Sequence, residues 1–293
     1  MQLVTFQHKG QVCLGTQILR DGRAYLLELN RVQFDLPADL LSFLRAGPSM
    51  MERVREVVSA STDMSQWLLA SEVTPLAPLP RPGKILCVGH NYKGHLGIGR
   101  EDLPDYPNIF CKTANTIIGC GQPILIPKAS TQVDYEAELM VVIGKTARQV
   151  PESEALAHVA GYTLFNDVSA RDFQKRTSQW MLGKSFDTFG PMGPALVTAD
   201  EIPNPQCLDL ELTVNGVPKQ RTNTRDMIFT VPFLVSYLSA VMTLEPGDVV
   251  ATGTPAKLPE AASPQRFLEA GDRVRITVEK LGILENQVAL GTA

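Results

Sequence analysis

The segment Val133-Asp134-Tyr135-Glu136-Ala137-Glu138-Leu139-Met140-Val141-Val142-Ile143 constrains this chain more than any other. Tyr, Val and Ile dominate it and Gly144-Lys145 closes it, so it predicts a β-strand. Side chains alternate faces along a strand, which puts Asp134, Glu136 and Glu138 on one side, neighbours roughly 7 Å apart. Carboxylates held that close repel, and one is driven toward its protonated form unless a cation joins them. The apolar run Val141-Val142-Ile143 that follows argues against a strand edge lying in water. Acidic oxygens on a rigid, half-buried strand suit a hard divalent cation, Mg2+, Mn2+ or Ca2+. The competing reading is a solvated acidic face.

The clearest boundary is the connector 74–83, where four prolines exclude helix and hold the chain extended. Ahead of it, residues 1–73 read as a small α/β module. Strands are expected over 3–6, 12–18 and 24–29, with Asp21-Gly22 as a hairpin turn, and helices over 38–46 and 51–60. No chemistry is visible there. Residues 84–293 read as a second, larger domain, mainly β, with strands over 84–88 and 107–112 and a helix over 152–160 leading into a strand over 160–165. Asn215-Gly216 joins 208–214 to 217–222 as a second hairpin, and Thr230 caps a helix that opens with Pro232, the favoured first position. Pro246-Gly247-Asp248 and Ala270-Gly271-Asp272 are turns that open further strands. Many strands joined by turns, with few helices, indicate a β-rich α+β fold and exclude a doubly wound sheet.

Composition excludes several functions. A formal charge of −4 with no Lys/Arg run argues against nucleic acid or an anionic membrane as partner. Five scattered cysteines with no CxxC pair support neither a zinc site nor a disulfide framework, so a reducing compartment is expected. The longest apolar stretch, 231–242, is interrupted by Pro232, Ser236 and Ser239 and is shorter than the ~20 residues a bilayer requires. The amino terminus alternates like a strand and has no signal-peptide core, so the cytosol is the expected compartment; mitochondria stay open.

Several other residues can carry chemistry. In Asn166-Asp167-Val168-Ser169-Ala170-Arg171-Asp172, Ser169 and Asp172 have the spacing of a capping box, which gives Asp172 a structural task at a helix start. Asp167 has no such task, sits at a strand end, and is the third metal ligand expected beside Glu136 and Glu138; a turn aspartate bonding its own backbone is the alternative. Arg171 and Gln174 share a helical face and could grip a carboxylate, unless Arg171 only answers a neighbouring acid. Lys184, in an expected loop, could stabilise an enolate. Thr254, in Thr252-Gly253-Thr254-Pro255, could bind anionic oxygens. His95 lies in a loop with Gly94, Gly97 and Gly99, the composition of a mobile lid, and histidine is the usual base near neutral pH.

Taken in order, Cys87-Val88-Gly89-His90-Asn91-Tyr92, Asp134-Tyr135-Glu136-Ala137-Glu138-Leu139, the Asn166–Asp172 segment, Gly183-Lys184-Ser185-Phe186-Asp187 and the Thr252–Pro255 turn resemble the fumarylacetoacetate hydrolase family. The resemblance covers roughly 84–288 and is nearest to the longer members with an amino-terminal extension, which include oxaloacetate tautomerases. It implies a mixed β-sandwich roll, a homodimer, and Mg2+ or Mn2+ held by Glu136, Glu138 and Asp167. It further implies that Arg171, Gln174, Lys184 and Thr254 contact a 2-oxo acid, with Lys184 and His95 in catalysis. His95 falls on the family's lid histidine. Three residues on, where the family carries a glutamate that works with it on water, this chain has Ile98.

The expected chemistry is a metal-stabilised enolate of a 2-oxo acid or 1,3-dicarbonyl compound. Hydrolysis of an acylpyruvate-like C–C bond ranks first, with oxaloacetate tautomerisation or decarboxylation next. A metal-binding protein without catalysis is the reading of a different class.

Overall fold

The computed structural model describes residues 1–94, 103–262 and 264–291. It opens with an antiparallel meander of β1 (Gln2–His8), β2 (Gln11–Arg20), β3 (Arg23–Glu28) and β4 (Trp67–Leu69). Helices α1 (Leu29–Val32), α2 (Leu40–Arg45) and α3 (Pro48–Ala60) lie between β3 and β4. Asp21 and Gly22 take φ of 53° and 73°, the left-handed geometry a two-residue hairpin turn requires. In the proline-rich connector, β5 (Thr74–Pro75) pairs with β1.

The chain continues through β6 (Ile85–Gly89), β7 (Asn108–Lys112), β8 (Ile117–Ile118), β9 (Ile124–Ile126), β10 (Val133–Asp134), β11 (Ala137–Ile143), β12 (Val159–Asn166) and β13 (Ser169–Ala170). The one-turn helices α4 (Arg171–Gln174) and α5 (Met181–Lys184) precede β14 (Gly190–Thr198), β15 (Asp209–Val214) and β16 (Val217–Asn223). Helix α6 (Val231–Val241), β17 (Val249–Ala251), α7 (Pro259–Ala262), β18 (Arg273–Val278) and β19 (Gly282–Leu290) complete it.

Among the described residues the main sheet runs β4-β3-β2-β1-β14-β12-β11-β17-β6-β7, and a second runs β16-β15-β18-β19-β9. This is the strand-rich α+β fold expected. The amino-terminal meander extends the main sheet, since β1 pairs with β14 through Gln2↔Val197 and Leu3↔Leu196. Strand β11 lies near the middle of that sheet and is buried along its whole length. Its odd positions Leu139, Val141 and Ile143 pack with Leu212 and Ile276 of the second sheet and with Leu234 of α6. Its even positions Met140 and Val142 pack on the other face with Leu3, Phe43 and Val54. Alternation therefore carries one strand through two cores. At the start of α6, Thr230 Oγ1 accepts from the Phe233 N–H, a cap that contributes about 1 kcal/mol.

Two expectations change. The strand over 133–143 is broken at Tyr135 and Glu136, because β10 pairs with β13 whereas β11 pairs with β12. At the break the Glu136 N–H goes to Asn166 Oδ1 (3.0 Å), and the Asp167 N–H goes to Glu136 O (2.9 Å). A side chain thus takes a place in the ladder and lets the strand bend. Over 152–160, the helix is 3-10 and ends at His158, where β12 takes over.

Candidate active site

The register Ala137↔Asn166 and Glu138↔Phe165 brings the start of β11 to the end of β12, and with it three acids. Glu136, Glu138 and Asp167 each offer an oxygen, all within 4.8 Å of one another, and all three residues are buried. The structure brings together the three acids that the sequence singled out. Burying unpaired carboxylates costs several kcal/mol each, so their partners decide what the cluster can be. Glu138 Oε2 accepts the Gly253 N–H at 2.8 Å. Lys184 Nζ lies 2.6 Å from Glu136 Oε2 and 2.7 Å from Asp167 Oδ2. Lys112 Nζ lies 2.7 Å from Asp167 Oδ1 and also donates to Val168 O.

These contacts extend into a ladder of alternating charge. Lys257 Nζ meets Asp134 Oδ1 at 2.7 Å, and Asp134 Oδ2 accepts from Arg171 Nε at 2.9 Å. Arg171 Nη1 reaches Glu136 Oε1 at 2.7 Å, and the sequence continues through Lys184, Asp167 and Lys112. Burial raises the carboxyl pKa of Glu136, but Lys184 and then Arg171 outweigh it and hold the group well below its usual range. Glu138 goes the other way. Burial, then Asp167 and Glu136, push it well above the usual carboxylate range. Burial depresses the Lys184 ammonium, yet Asp167 and Glu136 outweigh it and the net shift is upward. For Lys112 burial wins, and its pKa falls despite Asp167.

Backbone geometry holds the trio's partners in place. Gly253 has φ +98°, and a Cβ there would come within 2.8 Å of Asn91 Cβ and 2.9 Å of Val88 O. Only glycine can turn there and still aim its N–H at Glu138. Asn91 fixes the same turn, donating to Thr252 O (2.7 Å) and Phe229 O (3.0 Å) and accepting from the Phe229 N–H (2.7 Å). Gln220 on β16 accepts the Ala137 N–H (3.0 Å) and donates to Thr254 Oγ1 (2.8 Å) and Pro255 O (2.7 Å). It ties the second sheet to both the acidic strand and the Thr254 turn.

Beside the cluster opens a cavity of about 600 Å³, lined among others by Glu136, Arg171, Gln174, Thr254 and Lys257. The structure thus gathers Glu136, Glu138, Asp167, Arg171, Gln174, Lys184 and Thr254 in one place. His95 and Ile98 lie outside the described residues. Two local expectations are corrected. Lys184 sits in the one-turn helix α5, not a loop, because Gly183 packs against the Gln174 backbone where a Cβ would clash at 2.5 Å. The capping box is absent: Ser169 donates to Asp167 O, while Asp172 Oδ1 accepts from Ser130 Oγ (2.6 Å) and the Phe173 N–H (3.0 Å). A four-residue helix with Ala170 at its cap takes its first-turn acid to a neighbouring loop instead. Arg171 does answer neighbouring acids, and it binds Gln174 Oε1 at 2.9 Å as well.

Lys112, Lys257, Gln220 and Gly253 did not stand out in the sequence. Gly253 carried a signal, as the glycine of a Thr-Gly-Thr-Pro turn. A lysine closing the otherwise apolar β7 was a weaker one. For Lys257 and Gln220 only the pairing of distant segments reveals the role.

The donor set suits a divalent cation. Its oxygens are hard, they converge from one strand end and one strand junction, and Glu138 is the crowded acid that a cation would relieve. Glu136, Glu138 and Asp167 are the residues that would hold it.

A strand-rich roll with buried acids beside a cation-lined cavity defines a class of small-molecule enzymes, and the chain belongs to the fumarylacetoacetate hydrolase family. The model of the fumarylacetoacetate (FAA) hydrolase C-terminal domain matches residues 84–289. A Bos taurus protein named oxaloacetate tautomerase, mitochondrial, is 41% identical over 292 residues, covering 98% of this chain and 91% of its own. The Bacillus subtilis oxaloacetate tautomerase YisK is 39% identical over 262 residues, covering 86% of this chain and 87% of its own. Among solved structures, a fumarylacetoacetate hydrolase from Exiguobacterium antarcticum superposes with a TM-score of 0.85 at 33% identity, covering 99% of this chain and 100% of its own. A maleylpyruvate hydrolase from a Sphingobium species, in complex with manganese(II) and pyruvate, gives 0.80 at 29% identity over 100% of both chains.

Proposed function

We propose that this protein is a divalent-metal-dependent oxaloacetate keto–enol tautomerase. The observation that carries the reading is the likeness over nearly the whole chain, amino-terminal module included, to proteins named oxaloacetate tautomerase. Hydrolysis of an acylpyruvate-like bond, ranked first on sequence, becomes the second reading. The hydrolase names of two structural neighbours favour it, and Ile98 in place of a glutamate beside His95 counts against it.

In this reading Glu136, Glu138 and Asp167 hold Mg2+ or Mn2+, which when bound supplies Lewis-acid stabilisation of negative charge on the oxygens of a 2-oxo acid. The manganese and pyruvate of the Sphingobium neighbour support that pairing. Lys184 and Arg171 place fixed positive charge where the enolate's charge develops, and buried pairing keeps both in position before substrate arrives. Gln174 and Thr254 orient the substrate from the cavity wall. Tautomerisation moves one proton off the enol oxygen and places one on C3; we assign that transfer to His95. It consumes no water and breaks no C–C bond, so it does not need a carboxylate beside the histidine.

A homodimer is the proposed assembly, and the names of animal relatives support a mitochondrial location alongside the cytosolic one. The test is a single comparison. Oxaloacetate enol decay, oxaloacetate decarboxylation and acetylpyruvate cleavage are followed with Mg2+, with Mn2+ and with excess chelator. Fast enol decay that chelator abolishes supports the proposal. Efficient acetylpyruvate cleavage without enol decay sinks it in favour of hydrolysis, and no turnover of any substrate favours a binding protein.

A further inference from the structure

The charge ladder has two unlike ends. Lys112 is sealed, its side chain 0% exposed, whereas Lys257 is 15% exposed and lines the cavity. Between them Asp134 is already paired with Arg171, so a second cation on the same carboxylate is surplus to neutralising it. Around the cavity three cations, Arg171, Lys175 and Lys257, face two carboxylates, Asp134 and Glu136. The cavity wall therefore has one positive charge to spare, enough for one carboxylate of a ligand beyond whatever the acidic cluster itself takes up.

Lys257 is also held ready. Its ammonium sits 4.6 Å from the centre of the Tyr135 ring, in cation–π contact, and Asp134 takes one of its three N–H donors. Its backbone bridges to Gln220, the residue that also holds Thr254, and the next N–H, from Leu258, reaches Lys219 O at 2.8 Å. A lysine immobilised on both sides loses little freedom on meeting a ligand.

We propose that Lys257 binds the distal carboxylate of a 2-oxo dicarboxylate whose 2-oxo acid end lies at the Glu136–Glu138–Asp167 cluster, and so selects dicarboxylic over monocarboxylic substrates. This rests on the tautomerase reading for the placement of the 2-oxo acid end and goes beyond it in naming the residue that reads the other end. Lys257 is a specificity-determining residue here, outside the proton transfer itself.

The test uses the full chain with Mn2+ and the variants Lys257→Met, Lys257→Gln and Lys257→Arg. Calorimetry compares 3,3-difluoro-oxaloacetate, which cannot enolise, with pyruvate, which lacks the second carboxylate. Losing a charge-assisted hydrogen bond should weaken the dicarboxylate about ten- to hundredfold and pyruvate by less than about threefold. Oxaloacetate KM should rise by a similar factor with kcat little changed, and arginine should restore most of the affinity. Equal weakening of both ligands, or no change in either, overturns the proposal and leaves Lys257 as the counter-ion of Asp134. Glutamine keeps the test available if methionine prevents folding. Wild-type protein that turns over no oxaloacetate yet prefers the difluoro compound through Lys257 fails the function reading alone. Wild-type turnover with unaltered discrimination in the variants fails this one alone.

Discussion

Lys112 Nζ lies 2.7 Å from Asp167 Oδ1, and both side chains are completely buried. The pair gives one oxygen of Asp167 a cationic partner in the core while its other oxygen serves Lys184. Removing one partner of a buried pair costs roughly 3–5 kcal/mol where the other charge is left bare. In Lys112→Met, Lys184 still holds Asp167 Oδ2, so the variant should lose about 1.5–3 kcal/mol of stability in urea unfolding without metal. Mn2+ should recover part of the loss, because a cation on Asp167 restores the missing charge, and the metal should stabilise the variant more than the wild type. A loss under about 1 kcal/mol would show that the Lys112 contact contributes little to holding Asp167 in the core.

Glu138 gives the cluster a pH signature. Its folded pKa is raised by burial, then by Asp167 and Glu136, so its stability contribution is complete below the ordinary glutamate value and is lost as pH rises through the raised one. Glu136 is lowered by Lys184 and Arg171, so its contribution is present above the ordinary value and is lost only as pH falls through the depressed one. Metal-free protein should lose stability as pH climbs above the carboxylate range, and Glu138→Gln should flatten that decline. Below the raised pKa, Mn2+ binding should release a proton from wild type and not from the variant. Titration calorimetry in two buffers of different ionisation enthalpy reads this directly, and equal proton release in both proteins refutes the assignment.

Asp167 and Asp172 are five residues apart and have different work. Asp172 accepts from Ser130 and from the Phe173 N–H, so Asp172→Ala should cost about 1 kcal/mol and little Mn2+ affinity. Asp167→Asn should abolish most Mn2+ binding, since it removes one of three converging acids. Matching losses of Mn2+ affinity in the two variants would show that the loop held by Asp172 shapes the site.

Most strand positions, both hairpins and the acidic trio were legible because each has a local signature: alternation, Asp-Gly and Asn-Gly turns, acids two apart on a strand, and an aspartate at a strand end. Asp134 shows the limit. It shares that face in sequence, yet the break at Tyr135 and Glu136 sends it to Arg171 and Lys257 while Glu136 and Glu138 join Asp167. The break follows from two different partner strands, which no single window of sequence contains. Lys112, and the burial of Lys184, were hidden for a similar reason. A lysine is ordinarily a surface residue, and only the meeting of β7, β11, β12 and α5 supplies the carboxylates that make burial tolerable.

Gly253 tests whether the backbone is part of the site. Its N–H reaches Glu138 Oε2 at 2.8 Å, and its φ of +98° and the nearness of Asn91 and Val88 leave no room for a side chain. Gly253→Ala must either distort the turn or withdraw it from Asn91, at a strain of about 1–3 kcal/mol. Distortion takes the N–H away from the acid least able to lose a donor, because Glu138 already carries the crowding of the trio. Mn2+ affinity should fall at least about tenfold, and oxaloacetate turnover should fall with it. Thr252 still anchors the turn through Leu139 O, so the fold should survive and circular dichroism should match the wild type. Wild-type metal affinity in a stably folded Gly253→Ala would show that the amide contributes nothing to holding Glu138.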